Sequence, residues 1–158
     1  MYINKPRTCC FSGHRRLPQD RLGSIIRQLE EAVNTLISQG VTHFISGGAL
    51  GFDQLAAMLI VAKRERGHNV RLILALPCKN QDALWAEEQK ELYRYLLEKA
   101  DEIVCVSEHY APDCMKKRNY YMVDRSDYCI CAWLYPRSGT GQTVAYAQQK
   151  GIKVINIT

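Results

Sequence analysis

Short apolar segments alternate with amphipathic segments along the whole chain. The apolar segments are five to seven residues long, and the amphipathic ones carry apolar residues at the three- and four-residue spacing of a helix. Strands that alternate with helices predict a parallel sheet with helices on both faces. The predicted strands are 8–12, 42–46, 70–76, 102–106, 128–134 and 153–157. The predicted helices run from Pro18 to a stop at Gly40 and over 52–66, 82–99, 113–126 and 140–150.

This order predicts an α/β fold, a Rossmann-like three-layer sandwich with a mainly parallel sheet. The 158 residues suit a single nucleotide-binding domain, 1–158. On the helix 52–66, the spacing of apolar residues predicts that Leu55, Met58, Leu59 and Ala62 face the sheet. In such sheets ligands bind beyond the carboxyl ends of the strands, near the point where the strand order reverses. We therefore expect functional residues in the loops that follow the strands.

The charge balance is mild, with 21 basic against 16 acidic residues, a net charge of +5. The basic residues form no run longer than three, whereas nucleic-acid domains concentrate their charge in a patch. This distribution argues against nucleic acid as a partner and fits an anionic small molecule. No apolar run approaches the ~18–20 residues of a membrane span, and the first residues lack the apolar core of a signal peptide, so we expect a cytoplasmic protein without a membrane partner. Seven cysteines with no Cys-x-x-Cys pair predict reduced thiols and no metal site.

The loops after the first two strands carry glycines and charged residues. After the first strand, Gly13 allows a close approach of the backbone to a ligand, and His14 and Arg15 can face an anion. After the second strand, a glycine-rich loop leads directly into a helix, where backbone N–H groups can hold a phosphate. Asp53 in the first turn of that helix either complements the helix dipole or contacts the ligand. The candidate binding residues of the second loop are Ser46, Gly47, Gly48, Gly51 and Asp53.

Further candidates follow the third, fourth and fifth strands. Trp85, expected one turn into the next helix, either stacks on a base and bounds the pocket or belongs to the core. Arg118 on the fourth helix can hold a phosphate with two parallel hydrogen bonds. A second loop of small and hydroxyl residues leads into the last helix and forms a second candidate phosphate cradle. The candidates in these three regions are Gln81, Trp85, Arg118, Asn119, Ser138, Gly139, Thr140, Gly141 and Thr143.

Five segments together resemble the YpsA-like family of the SLOG superfamily, which also contains DprA and the LOG cytokinin-activating enzymes. The segments are GHR (13–15), SGGALGFDQLAA (46–57), LPCKNQDALW (76–85), RNYYMVDRSD (118–127) and GTGQTVAYA (139–147). The resemblance implies a Rossmann-like sheet that binds a nucleotide or nucleotide derivative at its glycine-rich loops, with NAD or ADP-ribose as the ligand type. Superfamily relatives are often dimers, so the resemblance is compatible with a homo-oligomer and leaves the oligomeric state open. No further cofactor is assigned.

The LOG enzymes resemble phosphoribohydrolases, and a comparison of this sequence with their motif shows which of their catalytic residues it has. Arg118 matches their helix arginine, and Gly139-Thr140 matches the Gly-Thr of their motif. Thr143 stands at the position of their glutamate, and cleavage of an N-glycosidic bond needs a carboxylate. Asp53 or Asp124 would have to supply it.

Three hypotheses follow. The first is a nucleotide-binding protein that acts as a sensor or regulator. The second is a hydrolase acting on a nucleotide or nucleotide sugar, with Arg118, Asp53 and Asp124 as the candidate catalytic residues. The third is a module that binds single-stranded DNA in the manner of DprA.

Overall fold

The computed structural model describes residues 6–158, which contain one sheet of six strands. All five neighbouring pairs are parallel, and the strand order is β4-β3-β2-β1-β5-β6. The predicted α/β fold is confirmed. The strands are β1 (Arg7–Gly13), β2 (Val41–Ser46), β3 (Arg71–Leu76), β4 (Glu102–Cys105), β5 (Tyr128–Ala132) and β6 (Lys153–Asn156).

Five helices connect the strands and lie close to the predicted segments. Within residues 6–158, no helix has both the length and the apolar character needed to cross a membrane. The helices are α1 (Gln19–Ser38), α2 (Phe52–Glu65), α3 (Glu87–Lys99), α4 (Cys114–Asp124) and α5 (Gly139–Gln149).

The third helix begins later than predicted. Residues 79–85 form turns, in which the N–H of Ala83 donates to Asn80 O and the N–H of Trp85 donates to Asp82 O. The α3 helix begins at Glu87, because the Gln89 side chain accepts the N–H of Ala86 at 2.9 Å and so caps the helix there. Trp85 therefore lies in the loop before the helix, and its predicted place inside the helix is wrong.

The sheet is covered on both faces, as alternate residues of its strands show. Cys9 and Phe11 of β1 belong to a core with α1, α2 and α3, whereas Cys10 between them belongs to a core with α4 and α5. Successive side chains of a strand point to opposite faces, so these two cores are the two interfaces of a three-layer sandwich.

The α2 helix faces the sheet with smaller residues than predicted. Ala56, Ala57 and Ile60 are fully buried, whereas Met58 is 36% exposed. The prediction is wrong for Met58, whereas Leu55 and Leu59 are half-buried against the same core.

The strand order reverses beside β1 and places the functional loops. The chain proceeds from β1 through β2 and β3 to β4 at one edge, then returns to β5 on the other side of β1. The connections from β1 and β5 therefore diverge, and a crevice opens at the carboxyl ends of these two strands.

Candidate functional site

A cleft of about 280 Å³ opens at the carboxyl end of β1, opposite the first residues of α5. It lies at the reversal of strand order, where ligands bind in sheets of this kind. Residues from β1, from the starts of α2 and α5 and from α4 form its walls. The lining residues are Phe11, Ser12, Gly13, His14, Arg15, Ala49, Asp53, Met115, Arg118, Asn119, Gly139 and Thr140.

The N-terminus of α5 forms one wall of the cleft. Ser138 is the N-cap, and its hydroxyl accepts the N–H of Gly141 at 3.1 Å. The N–H groups of Gly139 and Thr140, in the first turn, have no acceptor within the helix. Because both residues line the cleft, these donors and the positive end of the helix dipole favour an anion there.

Arg118 and Asp53 lie deep in the cleft, on either side of Gly47. A Cβ on Gly47 would collide with Arg118 Nη1 and lie 2.7 Å from Asp53 Oδ2, so only glycine fits between the two side chains. Burial raises the pKa of Asp53 from 3.8 to about 6, while Arg118, the Ala49 backbone N–H and Arg15 act in the opposite direction. Asp53 therefore exchanges its proton close to neutral pH.

Arg118 is held by the protein itself. Its Nη1 donates to Gly47 O at 2.7 Å and to Ala75 O at 3.4 Å, and its Nε donates to Asn119 Oδ1 at 2.9 Å. The side chain is only 5% exposed. Arg118 thus anchors the loop after β2 to β3, and it presents a fixed positive charge to the cleft.

The glycine-rich loop after β2 lies mostly behind the cleft wall. Gly47, Gly48 and Gly51 do not line the cleft, and Ser46 is fully buried. Ser46 Oγ donates to Asp53 O at 2.7 Å and accepts the N–H of Gly48 at 3.2 Å. Of the predicted second-loop residues, the structure brings only Asp53 into the cleft, and the others shape the wall that supports it.

His14 lines the cleft as an acceptor rather than a cation. Its Nε2 accepts the backbone N–H groups of Leu134 at 2.9 Å and Tyr135 at 3.3 Å, so this nitrogen carries no proton. Burial lowers the pKa of His14 below 6.5, which favours the neutral ring. Arg15 is the exposed cation of this loop that lines the cleft, and no salt bridge within residues 6–158 involves it.

A second cavity, of about 560 Å³, adjoins the cleft and shares Arg15 and Met115 with it. Its walls are largely apolar and aromatic. Trp85 is half-buried against the edge of the Tyr93 ring, with centroids 5.1 Å apart, and Tyr110 is 70% exposed. The cavity is lined by Arg15, Cys78, Asn80, Gln81, Ala83, Leu84, Trp85, Tyr110 and Met115.

Four further predicted residues lie outside both cavities: Asp124, Ser138, Gly141 and Thr143. Asp124 accepts the hydroxyl of Tyr146 at 2.6 Å and lies 3.9 Å from Lys150 Nζ, near the opposite end of α5, so the structure does not bring it to the candidate site. Thr143 donates to Gly139 O at 2.9 Å within the helix. Gly141 lies in a shallow depression beside the cleft with Ser138 and Arg137.

The two cavities are also lined by Ser12, Met115 and Tyr110, which were not predicted from the sequence. Met115 precedes Arg118 by three residues, so helical spacing would have placed both on one face of α4. Tyr110 follows β4. An aromatic residue in a loop after a strand is a candidate pocket residue, and the same reasoning selected Trp85. Among the described residues, no three His, Cys, Asp or Glu side chains are arranged to hold a metal ion.

Comparisons with known proteins agree with this architecture. The model of the YspA SLOG family, YpsA, matches residues 14–153. The SPbeta prophage-derived protein YoqJ of Bacillus subtilis is 32% identical over 143 residues, which are 83% of this chain and 80% of YoqJ. A UPF0398 protein of Bacillus cereus (strain G9842) is 23% identical over 133 residues, 82% of this chain and 72% of that protein.

Two solved structures share the fold at 20% identity. DNA processing protein A (DprA) of Streptococcus pneumoniae superposes with a TM-score of 0.68 over 94% of this chain and 49% of its own. DprA of Helicobacter pylori has a TM-score of 0.66 over 94% of this chain and 64% of its own. The chain thus spans about half of the S. pneumoniae protein and less than two thirds of the H. pylori protein.

These structures correct the prediction against nucleic acid as a partner. The H. pylori protein is described with a single-stranded DNA binding mode, so a protein of this fold has that function. The mild net charge was the wrong criterion, because net charge does not report the local charge at the carboxyl edge of the sheet. The family match over residues 14–153 and the identity to YoqJ establish that the chain belongs to the YspA SLOG family.

Proposed function

We propose that the cleft binds the phosphate groups of a nucleotide or nucleotide derivative and that the adjoining aromatic cavity receives its base. The observation that carries this proposal is that the two cavities adjoin at Arg15 and Met115, which line both. One end offers the N–H groups of an α-helix N-terminus, and the other offers aromatic rings. This is the combination that a ligand with an anionic and a planar part requires.

The charges at the cleft support an anionic ligand. Two guanidinium groups, Arg15 and Arg118, stand against the single carboxyl of Asp53, so the cleft is net positive even when Asp53 is ionised. Arg15 is exposed and able to move toward a phosphate, whereas Arg118 is fixed by its hydrogen bonds. We therefore assign direct phosphate contact to Arg15 and the background charge to Arg118.

The aromatic cavity supports a base or nucleoside at the other end. Trp85 is held by its contact with Tyr93, so stacking on it costs little side-chain entropy. Tyr110 and Leu84 are exposed, at 70% and 99%, and a planar ligand would cover both. A ligand of the ADP-ribose or NAD type, which the family resemblance implies, carries both parts.

The test is equilibrium binding of ADP to the wild type, to Arg15→Ala and to the control Arg16→Ala, by isothermal titration calorimetry. We expect Arg15→Ala to weaken binding roughly 10-fold or more, because a charge-assisted hydrogen bond is lost. Arg16 is exposed and outside the cleft lining, so its variant should bind as the wild type does. Equal loss in both variants would contradict direct contact by Arg15. Chromatography of an ADP-ribose mixture should recover the ligand intact, and products would instead favour the hydrolase hypothesis, with Asp53 as its carboxyl group.

A second candidate function is binding of single-stranded DNA. The shared fold with H. pylori DprA supports it, as do Arg15 in the cleft and Arg137 in the depression beside it. The cleft would then hold strand phosphates and the aromatic cavity a stacked base. The two candidates differ in salt dependence, because each additional phosphate contact steepens the loss of affinity with salt.

The cytoplasmic location remains a prediction from the sequence.

A further inference from the structure

His14 connects two of the loops that form the cleft. Its Nε2 accepts the N–H groups of Leu134 and Tyr135, and its ring lies 4.6 Å from the Tyr135 ring. Its backbone carbonyl accepts the N–H of Phe52, the first residue of α2, at 3.1 Å. The loop after β1 is therefore fixed both to the segment before α5 and to the start of α2.

The connection continues from Tyr135 to the α5 N-terminus. Tyr135 O accepts from Trp133 Nε1 at 2.9 Å and from Ser138 Oγ at 2.7 Å. Ser138 Oγ in turn accepts the N–H of Gly141 in the first turn of α5. An unbroken series of hydrogen bonds and one residue's backbone thus links the His14 ring to the helix end at the cleft.

We propose that His14 is a positioning residue, which in its neutral form holds the N-terminus of α5 at the cleft and releases it when the ring is protonated. A neutral imidazole with its proton on Nδ1 offers the Nε2 lone pair to both N–H groups, whereas the imidazolium has no acceptor. Protonation therefore removes both hydrogen bonds at once. The consequence for ligand affinity rests on the proposed function, but the consequence for the loop does not.

Other charged groups face the same cleft, and their effects on the pH dependence must be distinguished from the effect of His14. They are Arg15 from the loop after β1, Asp53 from α2 and Arg118 from α4, and the Tyr135 ring contacts His14 from the loop after β5. The pKa of His14 is lower in the folded protein than in the unfolded chain, so its contribution to stability is present at neutral pH and is lost as the pH falls through the folded value. Asp53 titrates near pH 6 and changes the cleft in the same interval. A variant with a non-titrating acceptor at position 14 separates the two effects.

The experiment measures amide hydrogen exchange by NMR in the wild type, His14→Ala and His14→Gln, at pH 7.5 and pH 5. In His14→Ala we expect the protection factors of the Leu134 and Tyr135 amides to fall at least ~10-fold at pH 7.5, with Ile45 in β2 unchanged as the internal control. In the wild type the same two amides should lose protection at pH 5. His14→Gln keeps an acceptor that does not titrate, so we expect wild-type protection at both values.

Exchange at Leu134 and Tyr135 that is unchanged in His14→Ala would overturn the positioning role. A loss of protection at pH 5 in His14→Gln, equal to that in the wild type, would overturn release by protonation of His14, because Asp53 is then responsible. ADP titrations of the three proteins test the second step, in which His14→Ala should bind roughly 10-fold more weakly and His14→Gln like the wild type. Equal ADP affinity in all three would overturn the link to the ligand. If amide exchange follows the expected pattern but the wild type binds no ADP, the result would support the role of His14 and refute the proposed function.

Discussion

Replacement of Gly51 by alanine should lower the free energy of unfolding by roughly 4 kcal/mol, a large part of the about 5–15 kcal/mol by which proteins are ordinarily stable. Gly51 has a φ of +84°, a conformation that L-residues rarely adopt. A Cβ at this position would also collide with the backbone carbonyl of Arg15 and lie 2.5 Å from that of His14. The His14 carbonyl cannot rotate away without breaking its hydrogen bond with the N–H of Phe52. Urea denaturation followed by circular dichroism measures the effect.

Gly23→Ala provides the matched control. Gly23 lies on the exposed side of α1, and a Cβ there would meet nothing within 4 Å. We expect this variant to gain about 0.5–1 kcal/mol, because alanine is the better helix former. If Gly51→Ala were as stable as the wild type, the close packing of the second-strand loop on His14 and Arg15 would be wrong.

Replacement of Arg118 by methionine should cost roughly 3 kcal/mol at pH 8 and clearly less at pH 5. The substitution removes the donor to the buried carbonyls of Gly47 and Ala75 at any pH. It also removes the positive charge that offsets the buried carboxylate of Asp53. The pKa of Asp53 is about 6 in the folded protein against 3.8 in the unfolded chain, so its burial favours folding below pH 3.8 and this contribution is lost as the pH rises through 6. Without Arg118, which lowers the pKa of Asp53, that loss continues to a higher pH and becomes larger.

Denaturation of Arg118→Met at the two pH values checks this expectation. The double variant Arg118→Met with Asp53→Asn should show a nearly constant deficit, because the titrating carboxyl is gone. An equal deficit of the single variant at pH 8 and pH 5 would show that Arg118 acts through hydrogen bonds alone.

The sequence predicted the alternation of strands and helices, because buried parallel strands and amphipathic helices have distinct periodicities. It failed at Trp85, because α3 begins only at Glu87, where the Gln89 side chain caps the helix in a way that apolar spacing cannot reveal. It also failed in part on α2, where Ala56 and Ala57 are fully buried beside Phe52 and Ile60, whereas the predicted Met58 is exposed. Small residues carry little weight in a hydrophobic pattern, although they decide how closely a helix can pack.

The candidate site was predicted in position but only partly in mechanism. The rule that ligands bind beyond the carboxyl ends of strands pointed to the loops after the strands, and Arg15, Gly139 and Thr140 do meet in one cleft there. The glycines after β2 were expected to hold phosphate, and the structure shows that Gly47 and Gly51 leave room for neighbouring protein atoms instead. A glycine-rich sequence has the same composition in both cases, so only the three-dimensional contacts distinguish a ligand cradle from close internal packing.

The most direct test of nucleotide binding at this cleft is an NMR titration of the labelled wild-type protein with ADP, in which backbone amide shifts are followed residue by residue. We expect saturable changes concentrated at Arg15, Gly139 and Thr140, with the Trp85 indole shifting in the same titration. The depression around His43 and Arg125, lined by different residues, should remain unperturbed and serves as the internal control. Changes confined to that depression, or no saturable change at millimolar ADP, would contradict the assignment of the cleft as a nucleotide site.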